Sequence, residues 1–404
     1  MKHIIHMVGI KGQGMTALAE ILKARGADVT GSDTMTESFT TDAVLKAARI
    51  PVRPFARLNI TKKINTVIYS TAYRLNTHPE LKEATKKGIS VQSYAEALAE
   101  LFNSFPQRIL VTGTHGKSTT SAMVGYILEQ AGYDPTVIIG AEALNWKRNS
   151  RAGKSDWIVA EGDEYQAKIL MMRPTLLVLT SIDYDHPDFF KTKKDYEAMF
   201  KTMRRRLPAS RVVTTNSYYG KKLRYLFGSH NQQNAERAAR AAATIGVRKS
   251  IIDSSLQSFR GVGRRLEYHS DPKAKTVLLD DYAHHPVEIR AALDAVRKRY
   301  PRRRIVVVFQ PHTFSRTKTF LNDFAISFTD ADAVIILETF SSAREKRGPV
   351  GAKELRDKIA RHHPRAFYAA THKKAARLAL RNLSSPGVFL AMGAGDVNRI
   401  FLLV

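Results

Sequence analysis

Two glycine-containing loops in this chain have the residue types and spacing that bind phosphate groups. The stronger one lies within LVTGTHGKST, between a predicted strand and a predicted helix. Its glycines would let main-chain N–H groups face the phosphates, Lys117 would reach the β- and γ-phosphates, and the Ser118 hydroxyl would hold Mg²⁺. The loop is a shortened version of the full motif, because Val111 stands where the motif has its first glycine. The predicted phosphate-binding segment comprises Gly113, Thr114, His115, Gly116, Lys117, Ser118 and Thr119.

The other loop comes near the start of the chain, where an apolar strand over His3 to Val8 runs into Gly9, Gly12 and Gly14. The helix that follows would offer its N-terminal N–H groups to an anion. Asp33 closes the second strand, where an acidic residue of a Rossmann fold contacts a ribose. The spacing is GxxGxG rather than GxGxxG, which weakens an NAD reading. A pyrophosphate site and a simple tight turn both remain open from the spacing alone.

Acidic residues follow two later strands. Glu161-Gly162-Asp163-Glu164 comes after a strand over 157–160, and Asp183-Tyr184-Asp185-His186 comes after a strand over 176–180. Ligands bind at the carboxyl ends of strands in α/β sheets, and carboxylates are the ligands that Mg²⁺ prefers. We therefore favour a magnesium site over simple solvation of acidic loops.

A third group of chemically active side chains lies in the last third of the chain. DDYAHHP ends one apolar strand and FQPHTFSRT ends the next. His312 and Arg316 could both bind the carboxylate of an amino acid if the turn brings them together. Any one of these histidines could equally be a solvated surface residue, but that explanation is poorer for the whole cluster.

The elements that must position these residues alternate between strand and helix, which predicts an α/β fold with parallel sheets. We expect three domains, over 1–105, 106–266 and 267–404, with a linker near Phe105-Pro106. The clearest expected strands cover 3–8, 28–30, 66–70, 89–92, 109–111, 157–160, 176–180, 276–279, 305–309, 333–337 and 388–391. The clearest expected helices of the central segment cover 118–131 and 231–245.

Composition excludes several classes of protein. The 404 residues are 44% hydrophobic and 25% charged, as in globular proteins, and they include no cysteine, which excludes disulfides and thiol catalysis. No apolar run approaches the roughly 18 residues of a membrane span, so membrane insertion is not expected. The net charge of +27 fits nucleic-acid binding, but it equally fits solubility at high ionic strength or a host with a basic proteome. Aromatic residues are not interleaved with the basic ones, which argues against nucleic-acid binding. An anionic small substrate would use part of the charge, and the sequence leaves the reason for the rest open.

The ordered motifs resemble those of the Mur ligases over nearly the whole chain. The carriers of the resemblance are HMVGIKGQGM with GSD, GTHGKSTT, EGDEY, DYDHPDFF, GSHNQQNA, GVGRRLE, DDYAHHP, FQPHTFSRT and MGAGD. The resemblance implies an N-terminal Rossmann-like domain for a UDP-sugar, a central P-loop ATPase-like domain with a parallel sheet, and a C-terminal Rossmann-like domain for the incoming amino acid. It is closest to the branch that adds L-alanine to UDP-N-acetylmuramate, with ATP and Mg²⁺ as cofactors, in the cytoplasm.

The resemblance also implies roles for residues. Lys117, Glu161, His186 and Asp281 would be catalytic, and Ser118, Glu161 and His186 would hold magnesium. ATP would be bound by the loop over Gly113 to Thr119, with further contacts from Asn231, Asn234, Arg264 and Arg265. The UDP-sugar would be bound by Gly9, Gly12, Gln13, Gly14, Met15, Asp33, Ser70 and Thr71. The amino acid would be bound by His285, His312 and Arg316.

Some features depart from the family, and alternatives stay open. The chain is several tens of residues shorter than usual between Asp188 and Gly228, where 211–215 reads as a single strand. A ligase that recycles a tripeptide onto the same nucleotide sugar is the nearest rival, although FQPHTFSRT favours the single-amino-acid branch. A Mur-like binding protein with weakened catalysis is another. The sequence does not decide between a monomer and a dimer.

Overall fold

The computed structural model describes residues 2–36, 39, 41–341, 345 and 348–404. Its strands form three separate sheets, of five, six and six strands. The expectation of an α/β fold is thereby confirmed. Contacts divide the chain into two compact units. The first runs from the N-terminus to Ile182 and includes Ala198–Asn216 and Ala235–Phe259, and the second comprises Asp183–Glu197, Ser217–Asn234 and Arg260–Val404. None of the described helices is long and apolar enough to cross a membrane.

The first sheet is wholly parallel, with the strand order β3-β2-β1-β4-β5. Its strands are β1 (Ile4–Val8), β2 (Asp28–Ser32), β3 (Val52–Arg53), β4 (Thr66–Tyr69) and β5 (Ser90–Ser93), and its helices are α1 (Gln13–Ala24), α2 (Thr41–Ala47), α3 (Pro79–Lys86) and α4 (Tyr94–Asn103). The strand order reverses between β1 and β4. Ligands of open α/β sheets bind at such a reversal, which is where the first glycine loop leaves β1.

The second sheet has the order β11-β10-β6-β9-β7-β8, with only β7 and β8 antiparallel to each other. Its strands are β6 (Gln107–Thr112), β7 (Thr136–Ala143), β8 (Arg148–Arg151), β9 (Trp157–Gly162), β10 (Leu176–Leu179) and β11 (Val212–Thr214). The accompanying helices are α5 (Lys117–Gln130), α6 (Lys193–Arg204), α7 (Ser229–Thr244) and α8 (Lys249–Ser258). Because β6 lies between β9 and β10, the loops after these three strands share one edge. The strand expected over 211–215 is β11.

The third sheet has the order β12-β13-β17-β14-β15-β16, in which only β12 runs antiparallel to its neighbour. Its strands are β12 (Arg265–Tyr268), β13 (Thr276–Asp281), β14 (Arg304–Phe309), β15 (Ala333–Leu337), β16 (Ala366–Ala369) and β17 (Gly387–Met392). Its helices are α9 (Pro286–Arg299), α10 (Phe314–Thr319), α11 (Leu321–Ala325), α12 (Ala352–Ala360) and α13 (His372–Asn382). Two buried apolar clusters cover its faces. The sequence did not predict β3, β7, β8, β12 and β16.

Candidate active site

The first glycine loop turns tightly at the end of β1. Gly9 has a φ of +78°, and a Cβ atom there would lie 2.6 Å from the Tyr73 ring, so no other residue fits easily. The loop leads into α1, whose first turn begins at Gln13 with Gly12 as N-cap. Main-chain N–H groups of Gln13, Gly14 and Met15 therefore lie at the end of the helix that favours anions. The Met15 side chain is only 3% exposed and packs in the core, so Met15 can contribute only through its main chain.

Asp33 braces this loop. Its Oδ2 accepts a hydrogen bond from the Lys11 N–H at 2.7 Å, and its Oδ1 accepts one from the Thr34 N–H at 2.7 Å. Both oxygens of this buried carboxylate thus accept hydrogen bonds from main-chain N–H groups. Its contact with a ribose stays a prediction. Ser70 and Thr71 directly follow β4, which pairs with β1 in parallel, so they lie at the same edge of the sheet as the loop.

The second glycine loop is packed against the residues that follow β10. The Thr114 N–H donates to the Ser181 carbonyl at 2.8 Å, and the His115 N–H donates to the Ser181 hydroxyl at 3.0 Å. Gly113 has a φ of +135°, and Gly116 has a φ of +80° as the N-cap of α5. The loop therefore has the left-handed positions that a phosphate-binding turn requires.

Replacing Gly113 with alanine should damage this loop. A Cβ atom there would lie 2.3 Å from Thr180 Oγ1 and 2.6 Å from the Ser181 carbonyl oxygen, and the φ of +135° is strained for any L side chain. We expect Gly113→Ala to lower the free energy of unfolding by about 1–3 kcal/mol and to weaken ATP binding at least tenfold. Urea unfolding and ATP titration measure both effects. Gly220→Ala is the matched control, since its Cβ would meet nothing within 4 Å; equal effects in the two variants would contradict the prediction.

Lys117 lies folded over the loop. Its ammonium group donates to the carbonyl oxygens of Gly113 and Thr114 at 2.7 and 2.9 Å, and it pairs with Glu164 at 2.9 Å. Burial alone would lower the pKa of Lys117, but the carboxylates of Glu164 and Glu161 raise it above its ordinary value. The lysine is therefore charged at neutral pH. The sequence placed Glu164 in an acidic cluster without predicting this contact.

Ser118 and Glu161, two of the predicted metal ligands, are in contact within the first unit. The Ser118 hydroxyl donates to Glu161 Oε1 at 3.0 Å, and the Gly140 N–H donates to Glu161 Oε2 at 2.6 Å. Adjacent ligands of octahedral Mg²⁺ lie about 3 Å apart, and Mg²⁺ prefers hard oxygen ligands. The Ser118–Glu161 pair thus fits a magnesium ion. His186, the third predicted ligand, belongs to the second unit and has a φ of +57°.

Within the second unit, Arg316 is paired with Asp185. The guanidinium donates to both carboxylate oxygens, at 3.1 and 3.2 Å, and both side chains are buried. Burial opposes the charge of Asp185, but Arg316, with help from His186, holds the pKa of this carboxyl well below its usual range. His312 Nδ1 lies 3.4 Å from Arg316 Nη1, so the two side chains are in contact, while their binding of an amino-acid carboxylate stays a prediction.

Two histidines beside this ion pair are neutral at pH 7. Burial, together with Arg316, lowers the pKa of His312 to about 4, and burial lowers the pKa of His284 to about 3. The two rings are edge-to-face, with centroids 6.2 Å apart. The family resemblance implied that His285, rather than His284, binds the incoming amino acid. In the structure His285 is the buried N-cap of α9, where its Nδ1 accepts from the Val287 N–H at 3.3 Å. Amino-acid binding by His285 stays a prediction.

These lowered pKa values predict a loss of stability in acid. The unfolded chain takes up these protons near pH 6.5, whereas the folded chain takes them up only near pH 3–4. The stabilisation is therefore fully present above pH 6.5 and is lost as the pH falls towards 4, with a slope of up to about 1.4 kcal/mol per pH unit for each group. Urea unfolding between pH 7 and 4 should show a flatter profile for His284→Asn/His312→Asn than for the wild type. The exposed His362→Asn should keep the wild-type slope, and a flattened profile there would contradict this assignment.

Asp281 holds the start of β12 against β13. Its Oδ2 accepts from the Leu266 N–H at 2.8 Å and its Oδ1 accepts from the Ala283 N–H at 2.7 Å. Burial raises the pKa of Asp281 to about 6, with Arg265 opposing the shift. Arg264 and Leu266 both have positive φ, and the strand register shifts between Arg265 and Glu267.

The two predicted arginines differ in their contacts. The Arg264 guanidinium donates to the carbonyl oxygens of Gly393 and Gly395 at 2.6 and 2.9 Å and pairs with Asp280 at 3.1 Å. Arg264 therefore fastens the MGAGD loop, whereas Arg265 pairs with Glu288 at 3.5 Å and lies over the Tyr282 ring. On α7, the Asn234 amide lies 3.5 Å from Asn231 Oδ1, so the structure brings these two residues together.

Comparison with known proteins shows the family. Three family models match in order along the chain: "Mur ligase family, catalytic domain" over residues 4–106, "Mur ligase middle domain" over 111–260 and "Mur ligase, glutamate ligase domain" over 264–395. A UDP-N-acetylmuramate–L-alanine ligase of Desulfitobacterium hafniense (strain Y51) is 36% identical over an alignment of 444 positions, gaps included, which covers 98% of both chains. The chain belongs to the Mur ligase family.

Other relatives agree with this assignment. A UDP-N-acetylmuramate–L-alanine ligase of Synechococcus sp. (strain JA-3-3Ab) is 36% identical over 98% of this chain and 84% of its own. The crystal structure of the UDP-N-acetylmuramate-alanine ligase of Thermotoga maritima is 25% identical, with a TM-score of 0.81 over 99% of this chain and 98% of that one. A murein peptide ligase of Psychrobacter arcticus shares the fold, with a TM-score of 0.69 over 99% and 98% of the two chains at 22% identity. The three-domain Mur ligase architecture is thus confirmed.

Proposed function

We propose that this Mur ligase joins L-alanine to the carboxylate of UDP-N-acetylmuramate at the expense of ATP, in the assembly of peptidoglycan precursors in the cytoplasm. The observation that carries the proposal is the phosphate loop, with Lys117 folded over it and Ser118 next to Glu161. It occurs in a chain that matches L-alanine-adding relatives from end to end. The Mur ligase resemblance supplies the two half-reactions.

In the first half-reaction, a carboxylate oxygen of the sugar attacks the γ-phosphorus of ATP, and the bond to the bridging oxygen of ADP breaks. This step brings four anionic groups together, so positive charge must be close by. When ATP binds, the charged Lys117 would leave its ion pair with Glu164 and contact the phosphates instead. Arg265, Asn231 and Asn234 would bind the rest of the nucleotide, and Asp281 would position Arg265 by fixing the start of β12.

Ser118, Glu161 and His186 would hold magnesium. A bound Mg²⁺ ion supplies charge neutralisation at the phosphates when ATP is present. The chain's own contribution is the Gly140 N–H, which holds Glu161 in place through Oε2 and leaves Oε1 directed at Ser118.

In the second half-reaction, the neutral amine nitrogen attacks the acyl carbon to give a tetrahedral intermediate. This intermediate loses a proton from the nitrogen to water and expels phosphate, which gives the amide. Arg316 would bind the carboxylate of L-alanine, with His312 beside it. Because the imidazoles of His284 and His312 are neutral, they add no positive charge next to Arg316. Their ring nitrogens can accept hydrogen bonds from the amine instead.

The test is release of phosphate from ATP and Mg²⁺ with UDP-N-acetylmuramate, measured separately with L-alanine, glycine, L-serine and the wall tripeptide. We expect release that requires both the nucleotide sugar and L-alanine, with a product of matching mass. Release with the tripeptide alone would identify a recycling ligase. Absence of release with every acceptor, despite ATP binding, would overturn the enzyme assignment in favour of a binding protein.

A further inference from the structure

The β7–β8 hairpin of the first unit contacts the helix that carries the first glycine loop. The Ser150 hydroxyl donates to Glu20 Oε2 at 2.7 Å, and the Arg148 guanidinium pairs with Glu20 Oε1. Glu20 lies on α1, and its side chain is only 10% exposed. The Glu20 carboxylate of α1 is thus held by two polar side chains of β8.

A third residue of the same strand reaches the loop end of α1. The amide of Asn149 donates to the main-chain carbonyl of Gln13 at 3.0 Å. Asn149 is 6% exposed and Ser150 is 5% exposed, so both contacts are shielded from water. Three consecutive residues therefore hold α1 at two points, Gln13 in its first turn and Glu20 two turns later.

The other strand of the hairpin contacts the candidate magnesium site. The N–H group of Gly140, on β7, donates to Glu161 Oε2 at 2.6 Å. A Cβ atom on Gly140 would lie only 3.0 Å from Glu161 Oε2, so a side chain at this position would crowd the carboxylate. One hairpin thus contacts the helix of the first glycine loop through β8 and a candidate metal ligand through β7.

We propose that the β7–β8 hairpin positions the first glycine loop for the nucleotide sugar, and that Asn149 and Glu20 are the positioning residues. This inference rests on the proposed function. The N–H groups of the first turn of α1 bind an anion only if the turn is held in place, because a small displacement of a preorganised donor costs much of its binding energy. Asn149 holds that turn at Gln13, and Glu20 holds the axis of the helix.

The decisive variant is Asn149→Asp, which keeps the shape of the side chain but replaces the N–H donor with an oxygen facing the Gln13 carbonyl. We expect the Kd for UDP-N-acetylmuramate to rise about tenfold, since a buried acceptor loses its partner. The Kd for a non-hydrolysable ATP analogue should stay within twofold. Hydrogen exchange of peptides covering residues 9–18 should be faster than in the wild type. Asn322→Asp is the control, because it makes the same change of charge at an exposed position.

A second pair of variants tests the other contact. Glu20→Gln keeps an acceptor for Ser150, whereas Glu20→Ala removes it. We expect Glu20→Ala to raise the KM for the nucleotide sugar about fivefold with little change in kcat, and Glu20→Gln to recover most of that loss. Glu83→Ala, which breaks a surface ion pair with Lys87 in the same unit, should leave both constants unchanged.

The outcomes separate this inference from the proposed function. If the wild type binds UDP-N-acetylmuramate and Asn149→Asp binds it equally tightly, the positioning role is wrong and the proposed function stands. If Asn149→Asp binds both UDP-N-acetylmuramate and the ATP analogue more weakly and has a lowered Tm, the hairpin merely stabilises the fold. That result would also overturn the positioning role. A wild type that does not bind the nucleotide sugar would overturn the proposed function and this inference with it.

Discussion

Lys117→Met is expected to lower kcat of the ligase reaction about a thousandfold. Lys117 is the side chain held over the phosphate loop, and its pKa is raised because neighbouring carboxylates outweigh burial. Methionine keeps most of the length of the side chain and removes the ammonium group, with its charge and its N–H donors. Loss of one charged group that stabilises the transferring phosphoryl group typically costs two to five orders of magnitude in rate, about 3–7 kcal/mol. The measurement is steady-state phosphate release with UDP-N-acetylmuramate and L-alanine.

The matched control for this prediction is Lys168→Met in the same unit. Lys168 lies over the Tyr165 ring and pairs loosely with the exposed Asp163 at 3.7 Å. We expect kcat within twofold of the wild type for this variant. A similar loss in both variants would indicate that general positive charge, rather than the position of Lys117, matters. Wild-type rates in Lys117→Met would contradict the assigned role.

Strands that are buried on both faces could be predicted from the sequence. The boundaries expected for β15, 333–337, agree with the structure, because an uninterrupted apolar run between polar segments indicates a strand of a parallel sheet. β8 was missed because Arg148–Arg151 is a polar segment, stabilised as a strand by contacts with Glu20 and Glu129. Such contacts depend on the tertiary structure and leave no periodic pattern in the sequence.

The same distinction applies to the candidate site. Glycines next to a strand end indicated both glycine loops, because the positive φ angles of Gly9, Gly113 and Gly116 are adopted without strain only by glycine. The partners of charged residues could not be predicted in this way. Asp185 and Arg316 are 131 residues apart in sequence, and nothing in either motif indicates that one holds the other. The choice between His284 and His285 likewise depends on how α9 begins, with His285 used as its N-cap.

The Asp185–Arg316 pair gives the second prediction with a large effect. Arg316→Gln leaves Asp185 as a buried charge without its main partner, which typically costs about 3–5 kcal/mol of unfolding free energy. Because the pKa of Asp185 lies well below its usual range, the stabilisation is present throughout the neutral range and is lost only as the pH falls into strong acid. Urea unfolding at pH 7 should therefore show the full loss. The exposed Arg381→Gln is the control and should change stability by less than about 0.5 kcal/mol.

A double variant separates stability from function. Asp185→Asn/Arg316→Gln removes both charges and replaces an ion pair with two amides, so we expect it to recover most of the stability lost in Arg316→Gln. It should not recover ligase activity, because the proposed carboxylate-binding guanidinium is still missing. The KM for L-alanine should be raised at least tenfold in the double variant, whereas the Kd for ATP should equal the wild-type value. If activity recovers together with stability, Arg316 acts only as the structural partner of Asp185, and the L-alanine carboxylate must be bound elsewhere.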